Sequence, residues 1–217
     1  NPEFTPDVDG EYTIQVTNEE DMSVVEMVIY TGEWEGIIEG QDENGRPEVS
    51  SGCDACHGDI VANWKETGHA EIFTDQLNEG GHWGEGCFEC HSVGYNPDVD
   101  NNGLDDASDY MDWLNSGLIN AGNPDAWTMT LADYPDTAQL GNIQCENCHG
   151  PQDSDAHMGQ DGAPRVSISS DTCATCHGEP PRHGRFQQWQ LSAHSNYELA
   201  IDEGDSGNCS RCHTANG

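Results

Sequence analysis

The sequence predicts a mostly irregular fold with a few short α-helices and a small N-terminal β segment of two or three strands. Three observations predict this fold class. Only 34% of the 217 residues are hydrophobic and 25 are glycine, which limits the core that side chains alone can form. Polar and apolar residues alternate near the N-terminus, as they do in strands. A five-residue motif is then repeated along the rest of the chain.

The β segment comprises residues 1–50, which contain neither cysteine nor histidine. Glu11–Thr17 alternates polar and apolar residues and Ser23–Tyr30 is rich in β-branched residues, so both are predicted strands joined by a turn. The pattern from Phe4 to Thr13 resembles the closing strands of an immunoglobulin-like sheet. Because so few strands are unstable alone, we expect them to pack on the following region, pair with a neighbouring subunit, or belong to a larger domain.

From Ser51 onward the chain is organised by the motif C-x-x-C-H, which occurs five times and accounts for all ten cysteines. Disulfides or zinc sites would also use paired cysteines, but neither requires a histidine directly after each pair. C-x-x-C-H is the attachment signature of c-type haem, in which two thiols bond the porphyrin and the imidazole binds the iron. The predicted attachment residues are Cys53, Cys56, Cys87, Cys90, Cys145, Cys148, Cys173, Cys176, Cys209 and Cys212, and the proximal ligands are His57, His91, His149, His177 and His213.

Five porphyrins would supply the apolar core that the side chains are too few to form. Residues 51–217 are therefore predicted to form one haem-packed pentahaem domain. Such a domain should hold little regular secondary structure. Short helices are predicted at residues 59–69, 108–118 and 185–201. The remainder is predicted as loop because it is punctuated by Gly, Pro, Asn and Asp.

A second pattern, W-x-x-(S/T)-small-H, occurs at Trp64 to His69 and again at Trp189 to His194, which indicates an internal pseudo-repeat. With these motifs, residues 51–217 resemble the multihaem cytochromes that include the tetrahaem electron acceptor of ammonia oxidisers, octahaem oxidoreductases and filament-forming extracellular cytochromes. The resemblance implies that a histidine in this context is a second axial ligand. It also implies electron transfer and permits assembly into a filament or another homo-oligomer.

The histidine count predicts how the irons are coordinated. Five of the ten histidines lie outside the motifs, which matches the five remaining axial positions. The predicted distal ligands are His69, His82, His157, His183 and His194, with Met158 as an alternative beside His157. Two imidazoles on each iron suit electron transfer and leave no open position, so we expect an electron carrier and no catalytic residues. The alternatives are a haem enzyme acting on small nitrogen or sulfur compounds, or a segment of a larger cell-surface cytochrome.

The charge of the chain restricts its partners. The chain carries 41 acidic and 6 basic residues, a formal net charge of -35, which argues against nucleic acid or an anionic membrane as a partner. It favours redox partners with basic surfaces or metal and mineral acceptors, although adaptation to saline water is an equal explanation. Covalent haem attachment predicts an extracellular or cell-surface location, with the periplasm as the alternative. No stretch is apolar enough for membrane insertion.

An acidic loop following the second motif predicts a calcium site. Residues 98–103 fit the opening D-x-D-x-N-G of a calcium loop, in which glycine allows the sharp turn and hard oxygens surround the cation. The predicted ligands are Asp98, Asp100, Asn102, the carbonyl of Leu104, Asp106 and Asp109. The alternative is a solvated acidic loop, since Asp is abundant throughout this sequence.

Overall fold

A computed structural model gives the structure of the chain, and it describes residues 10–49, 51–81, 83–151, 170–178, 185–196, 198, 202 and 208. The chain forms two compact units, Asn1–Ser167 and Ile168–Gly217. The predicted boundary at residue 50 does not coincide with this division. Ile38 is buried in the core of the first unit, and the peptide N–H of Ile37 donates to Gln144 Oε1, so this part of the N-terminal segment belongs with the haem motifs.

The two predicted strands are confirmed. Strand β1, Gly10–Thr17, pairs with β2, Val24–Thr31, in an antiparallel hairpin that forms a two-stranded sheet. Val16 lies opposite Val25, and their side chains are 63% and 68% exposed. These apolar side chains therefore make no contribution to the core, and the expected pairing with a neighbouring subunit remains a prediction.

A second antiparallel ribbon, which the sequence analysis missed, consists of β3, Ile38–Gln41, and β4, Pro47–Val49. Asp42 closes its turn, because Oδ1 accepts hydrogen bonds from the peptide N–H groups of Arg46 and Asn44 at 2.9 and 2.8 Å. The hydrogen bond from Arg46 is the main reason that the pKa of Asp42 is lowered. The ribbon leads directly into the first helix.

Short helices form most of the regular structure that the described residues contain. In the first unit they are α1, Ser51–Lys65; α2, Ile72–Glu79; α3, Glu85–His91; α4, Tyr110–Asn115; α5, Ala126–Asp133; α6, Pro135–Ala138; and α7, Cys145–His149. In the second unit they are α8, Ser170–His177, and α9, Arg185–Gln190. Short 3-10 turns occupy Gly68–Ala70, Leu104–Asp106 and Ala193–Ser195. None of the described helices combines the length and the apolar composition needed to cross a bilayer.

The three predicted helices are confirmed in part, with α1, α4 and α9 lying within or across the predicted ranges. The assignment of the remainder to loops is wrong. Six helices occupy segments that were predicted as loop because they contain or adjoin Gly, Asn and Asp. These helices are α2, α3, α5, α6, α7 and α8. These helices are four to eight residues long, so they fit between the residues that break helices.

The first unit has a larger side-chain core than the composition suggests. Its centre is a group of aromatic rings from Phe73, Trp83, Phe88, Trp113 and Trp127, each no more than 3% exposed. Phe73 contacts the other four rings, with centroid distances of 5.4 to 6.1 Å. A few large rings bury as much apolar area as many aliphatic residues would, so a low hydrophobic percentage still permits this core.

Candidate haem sites

The described C-x-x-C-H motifs lie on helices, where the sequence analysis expected loops. In α3 the residues Cys87, Cys90 and His91 stand three and four positions apart, which places them on one face of the helix. The third and fourth motifs occupy α7 and α8 in the same way. Two thiols and an imidazole on one helical face are the arrangement that a covalently attached haem requires, so the local geometry fits this group.

Each of these helices ends or bends at the proximal histidine. Helices α3, α7 and α8 end at His91, His149 and His177, and α1 leaves helical geometry at His57, where φ is -122° and ψ is 27°. The residue after His149 is Gly150, whose φ of 78° is in the left-handed region that favours glycine. The imidazole therefore stands at the end of a helical turn.

The two variable residues of the third motif bind other parts of the chain. Glu146 is 4% exposed, and its Oε2 accepts a hydrogen bond from the peptide N–H of Glu35 at 2.7 Å. Asn147 Nδ2 donates to the carbonyl oxygen of Ser92 at 2.8 Å. Ser92 directly follows His91, so Asn147 ties the third motif to the end of the second.

The first and third motifs also belong to the same compact unit. Burial lowers the pKa of His149, and electrostatic repulsion from His57 lowers that pKa further. The structure thus brings three predicted haem sites, those of His57, His91 and His149, into one compact unit.

The first W-x-x-(S/T)-small-H segment holds the chain that leads into the third motif. Trp64 Nε1 donates to the carbonyl oxygen of Ile143 at 2.9 Å, and the peptide N–H of Ile143 donates to the carbonyl oxygen of His69 at 3.0 Å. Thr67 Oγ1 donates to the carbonyl oxygen of Trp64 at 2.7 Å and so ends the helix. His69 then lies in a 3-10 turn beside the segment that precedes Cys145.

The second such segment has the same local structure, which confirms the pseudo-repeat. Ser192 Oγ donates to the carbonyl oxygen of Trp189 at 2.6 Å, as Thr67 does to Trp64. His194 lies in the 3-10 turn Ala193–Ser195, which corresponds to Gly68–Ala70 around His69. The small residue before each histidine begins this turn.

Several predicted site residues lie outside the described residues, namely His82, His157, Met158, His183, Cys209, Cys212 and His213. The backbones of Cys53 and His194 are described. Their side chains are not. Cys56, Cys87 and Cys173 form no disulfide bond in this structure.

The predicted calcium ligands do not converge. Both carboxylate oxygens of Asp109 face the start of α6, where Oδ1 accepts from the peptide N–H of Thr137 at 2.8 Å and Oδ2 accepts from that of Asp136 at 3.0 Å. Asp106 Oδ2 accepts from the peptide N–H of Asn101 at 2.7 Å. Among the described residues, no group of three or more His, Cys, Asp or Glu side chains is arranged to hold a metal ion. Calcium binding therefore remains a prediction.

The sequence analysis missed three polar residues that position these sites. Asn142 is fully buried with a φ of 63°, and its Oδ1 accepts from the peptide N–H groups of Phe73 and Thr74 at the start of α2. Gln144 Nε2 donates to the carbonyl oxygens of Gln139 and Gly141, both at 2.7 Å. Asn142, Gln144 and Asn147 form a polar stretch around Cys145. In the sequence, the only sign of their positioning role is that three side-chain amides lie so close to one C-x-x-C-H motif.

Comparison with known proteins supports one class of protein for these sites. Residues 52–112 match the family model described as cytochrome c554 and c-prime. The matched range holds the first two C-x-x-C-H motifs and the segment from Trp64 to His69. The match supports a c-type cytochrome, and with it haem, iron and electron transfer in general. Comparisons with curated proteins and with solved structures found no match.

Proposed function

We propose that this protein transfers electrons through five covalently attached c-type haems, each with histidine on both sides of its iron. The observation that carries the proposal is the grouping of His57, His91 and His149 in one unit, where Asn147 of the third motif donates to the carbonyl oxygen of Ser92, the residue that follows the second motif. A bound haem would supply the one-electron ferric and ferrous states. The chain would supply the attachment thiols, the axial imidazoles and the close spacing of neighbouring sites.

The backbone position of His69 supports one of the proposed distal ligands. His69 lies beside the segment that enters the third motif. His194 lies in the corresponding 3-10 turn of the second unit. We propose His69, His82, His157, His183 and His194 as the distal ligands. An iron with imidazole on both faces cycles between its oxidation states with little change in geometry. The protein is therefore proposed to be an electron carrier rather than an enzyme.

The charge and the exposed hairpin support an extracellular conduit. A net charge of -35 keeps the chain soluble and suits basic or metallic electron acceptors. Val16, Val24 and Val25 on the hairpin are each more than half exposed, and a neighbouring copy could cover them. We propose an electron conduit at or outside the cell surface that assembles into homo-oligomers or filaments.

Two measurements test these proposals separately. Reduced protein is mixed with a soluble ferric chelate and with ferric mineral particles, and the reoxidation of the haems is followed by absorbance. We expect rapid and complete reoxidation by both acceptors. Turnover of nitrite or hydroxylamine that carbon monoxide inhibits would instead favour the enzyme. Electron microscopy and sedimentation then test assembly, and monomers alone at all salt concentrations would contradict the filament.

A further inference from the structure

The indole N–H of Trp83 is buried without a hydrogen-bond acceptor among the described residues. Trp83 is only 3% exposed, so bulk solvent does not reach the indole. A buried donor left unsatisfied is costly, and native structures rarely retain one. The orphaned N–H therefore indicates an acceptor that belongs to the working protein and is not part of the described chain.

Two other tryptophans in the first unit are satisfied within the chain. Trp64 Nε1 donates to the carbonyl oxygen of Ile143, and Trp113 Nε1 donates to Thr130 Oγ1 at 3.0 Å. Trp113 is fully buried in the same aromatic group as Trp83. Buried indoles in this unit can therefore find acceptors within the chain. The lack of one at Trp83 is specific to the surroundings of that residue.

The position of Trp83 is fixed, and it borders the second predicted haem site. Its ring packs against Phe73 and Phe88 with centroid distances of 5.4 and 5.6 Å, and its carbonyl oxygen accepts a hydrogen bond from Asn120. The centroid of its ring lies 5.1 Å from that of His91, the proximal histidine of the second motif. An imidazole that binds iron through one nitrogen carries a proton on the other, so His91 would then be a donor and cannot accept from Trp83.

The charge balance of the chain favours neutral donors as partners for haem carboxylates. Each haem carries a pair of propionate carboxylates, so five haems would bring more carboxylates than the six basic side chains could neutralise. Arg46 is already engaged, since it pairs with Glu71 at 2.9 Å and donates to the carbonyl oxygen of Lys65. With so few basic side chains, neutral N–H donors such as an indole become useful partners for propionates.

We propose that Trp83 Nε1 donates a hydrogen bond to a propionate of the haem attached at Cys87 and Cys90. The inference rests on the proposed function only in requiring a haem at the second motif. The hydrogen bond offsets part of the propionate's negative charge, which otherwise stabilises ferric iron. Trp83 is thus a positioning residue that holds the haem edge and raises the reduction potential of this site.

The experiment compares Trp83→Phe with the matched control Trp113→Phe in the full-length, haem-loaded protein. Intact mass first counts the haems in each variant. Redox titration then measures the midpoint potentials, and we expect one of them to shift downward in Trp83→Phe while all stay unchanged in Trp113→Phe. In the ¹⁵N-tryptophan-labelled wild type, we expect the Trp83 indole proton to exchange roughly tenfold or more slowly than that of the partly exposed Trp189.

The outcomes separate this inference from the proposed function. A downward shift confined to Trp83→Phe, together with the slow indole proton, supports the hydrogen bond. Haem-loaded protein with identical potentials in both variants, or with a Trp83 indole proton that exchanges as fast as that of Trp189, overturns the inference and leaves the proposed function standing. Wild-type protein that carries no haem overturns both.

Discussion

The carbonyl oxygen of His69 accepts a hydrogen bond from the peptide N–H of Ile143 across 3.0 Å. The carbonyl oxygen of the same Ile143 accepts from Trp64 Nε1. Both backbone groups of one residue are therefore held by the two ends of the W-x-x-(S/T)-small-H segment. Because Ile143 precedes Cys145 by two positions, this contact brings the backbone of His69 to the chain that enters the third motif.

We predict that His69→Ala opens one axial position in the haem-loaded protein. The third-motif haem should lose its distal imidazole, since His69 lies beside the segment that enters this motif. Oxidised protein should then show one high-spin haem by electron paramagnetic resonance, and the reduced form should bind carbon monoxide. The control is Thr67→Val, which removes only the hydroxyl contact to Trp64 and should remain fully low-spin. A fully low-spin spectrum in His69→Ala would contradict the assignment.

Asn142→Ala should destabilise the first unit by about 2–4 kcal/mol, because it leaves the buried N–H groups of Phe73 and Thr74 without their acceptor. Denaturant unfolding of the haem-loaded protein measures the free energy. The control is Asn115→Ala at an exposed position, which removes the side-chain hydrogen bond to Met111 and should cost less than about 0.5 kcal/mol. Equal losses in the two variants would show that Asn142 is not a structural support.

Gly178→Ala should impair the fourth motif. A Cβ at this position would lie 2.3 Å from the carbonyl oxygen of Ala174, so the end of α8 would have to shift. We expect a loss of stability of about 1–3 kcal/mol and less haem attached at Cys173 and Cys176. Thermal unfolding and intact mass measure these effects. The matched control is Gly58→Ala after the first motif, where the nearest atom would be 3.5 Å away, and it should retain full haem content.

The raised pKa of Tyr110 predicts how the free energy of unfolding changes at alkaline pH. Burial, followed by the charges of Tyr95 and Glu85, raises the pKa of Tyr110 above its ordinary value. The protonated phenol of Tyr110 stabilises the fold fully below the pKa of about 10 that tyrosine has in the unfolded chain. This stabilisation is lost as the pH rises toward the higher pKa that Tyr110 has in the folded protein. Denaturant unfolding above pH 10 should therefore show a steeper loss of stability in the wild type than in Tyr110→Phe. Parallel pH profiles for the two proteins would contradict this interpretation.

Part of this architecture could be predicted from the sequence because it depends on local pattern. Alternation identified β1, richness in β-branched residues identified β2, and the spacing of cysteine and histidine identified the candidate attachment sites. The repeated pattern around Trp64 and Trp189 indicated the pseudo-repeat that the hydroxyl contacts of Thr67 and Ser192 then confirmed. Each of these signals lies within a few neighbouring residues.

The remainder depends on contacts between residues distant in the chain. Asn142 binds the start of α2 about seventy residues away, and Glu146 binds Glu35 across 111 positions. No periodic pattern in a single sequence records such pairs. Helices as short as α6 and α7 are likewise fixed by tertiary contacts, since isolated helices of this length are unstable. This explains why these segments were predicted as loops.

Low-temperature electron paramagnetic resonance of the oxidised wild-type protein, with the haem content determined on the same sample, tests the central claim most directly. The account predicts five haems per chain and low-spin ferric signals that account for all five. Histidine on both faces of each iron would produce this result. Fewer than five haems, or a high-spin ferric signal equivalent to one haem, would contradict it.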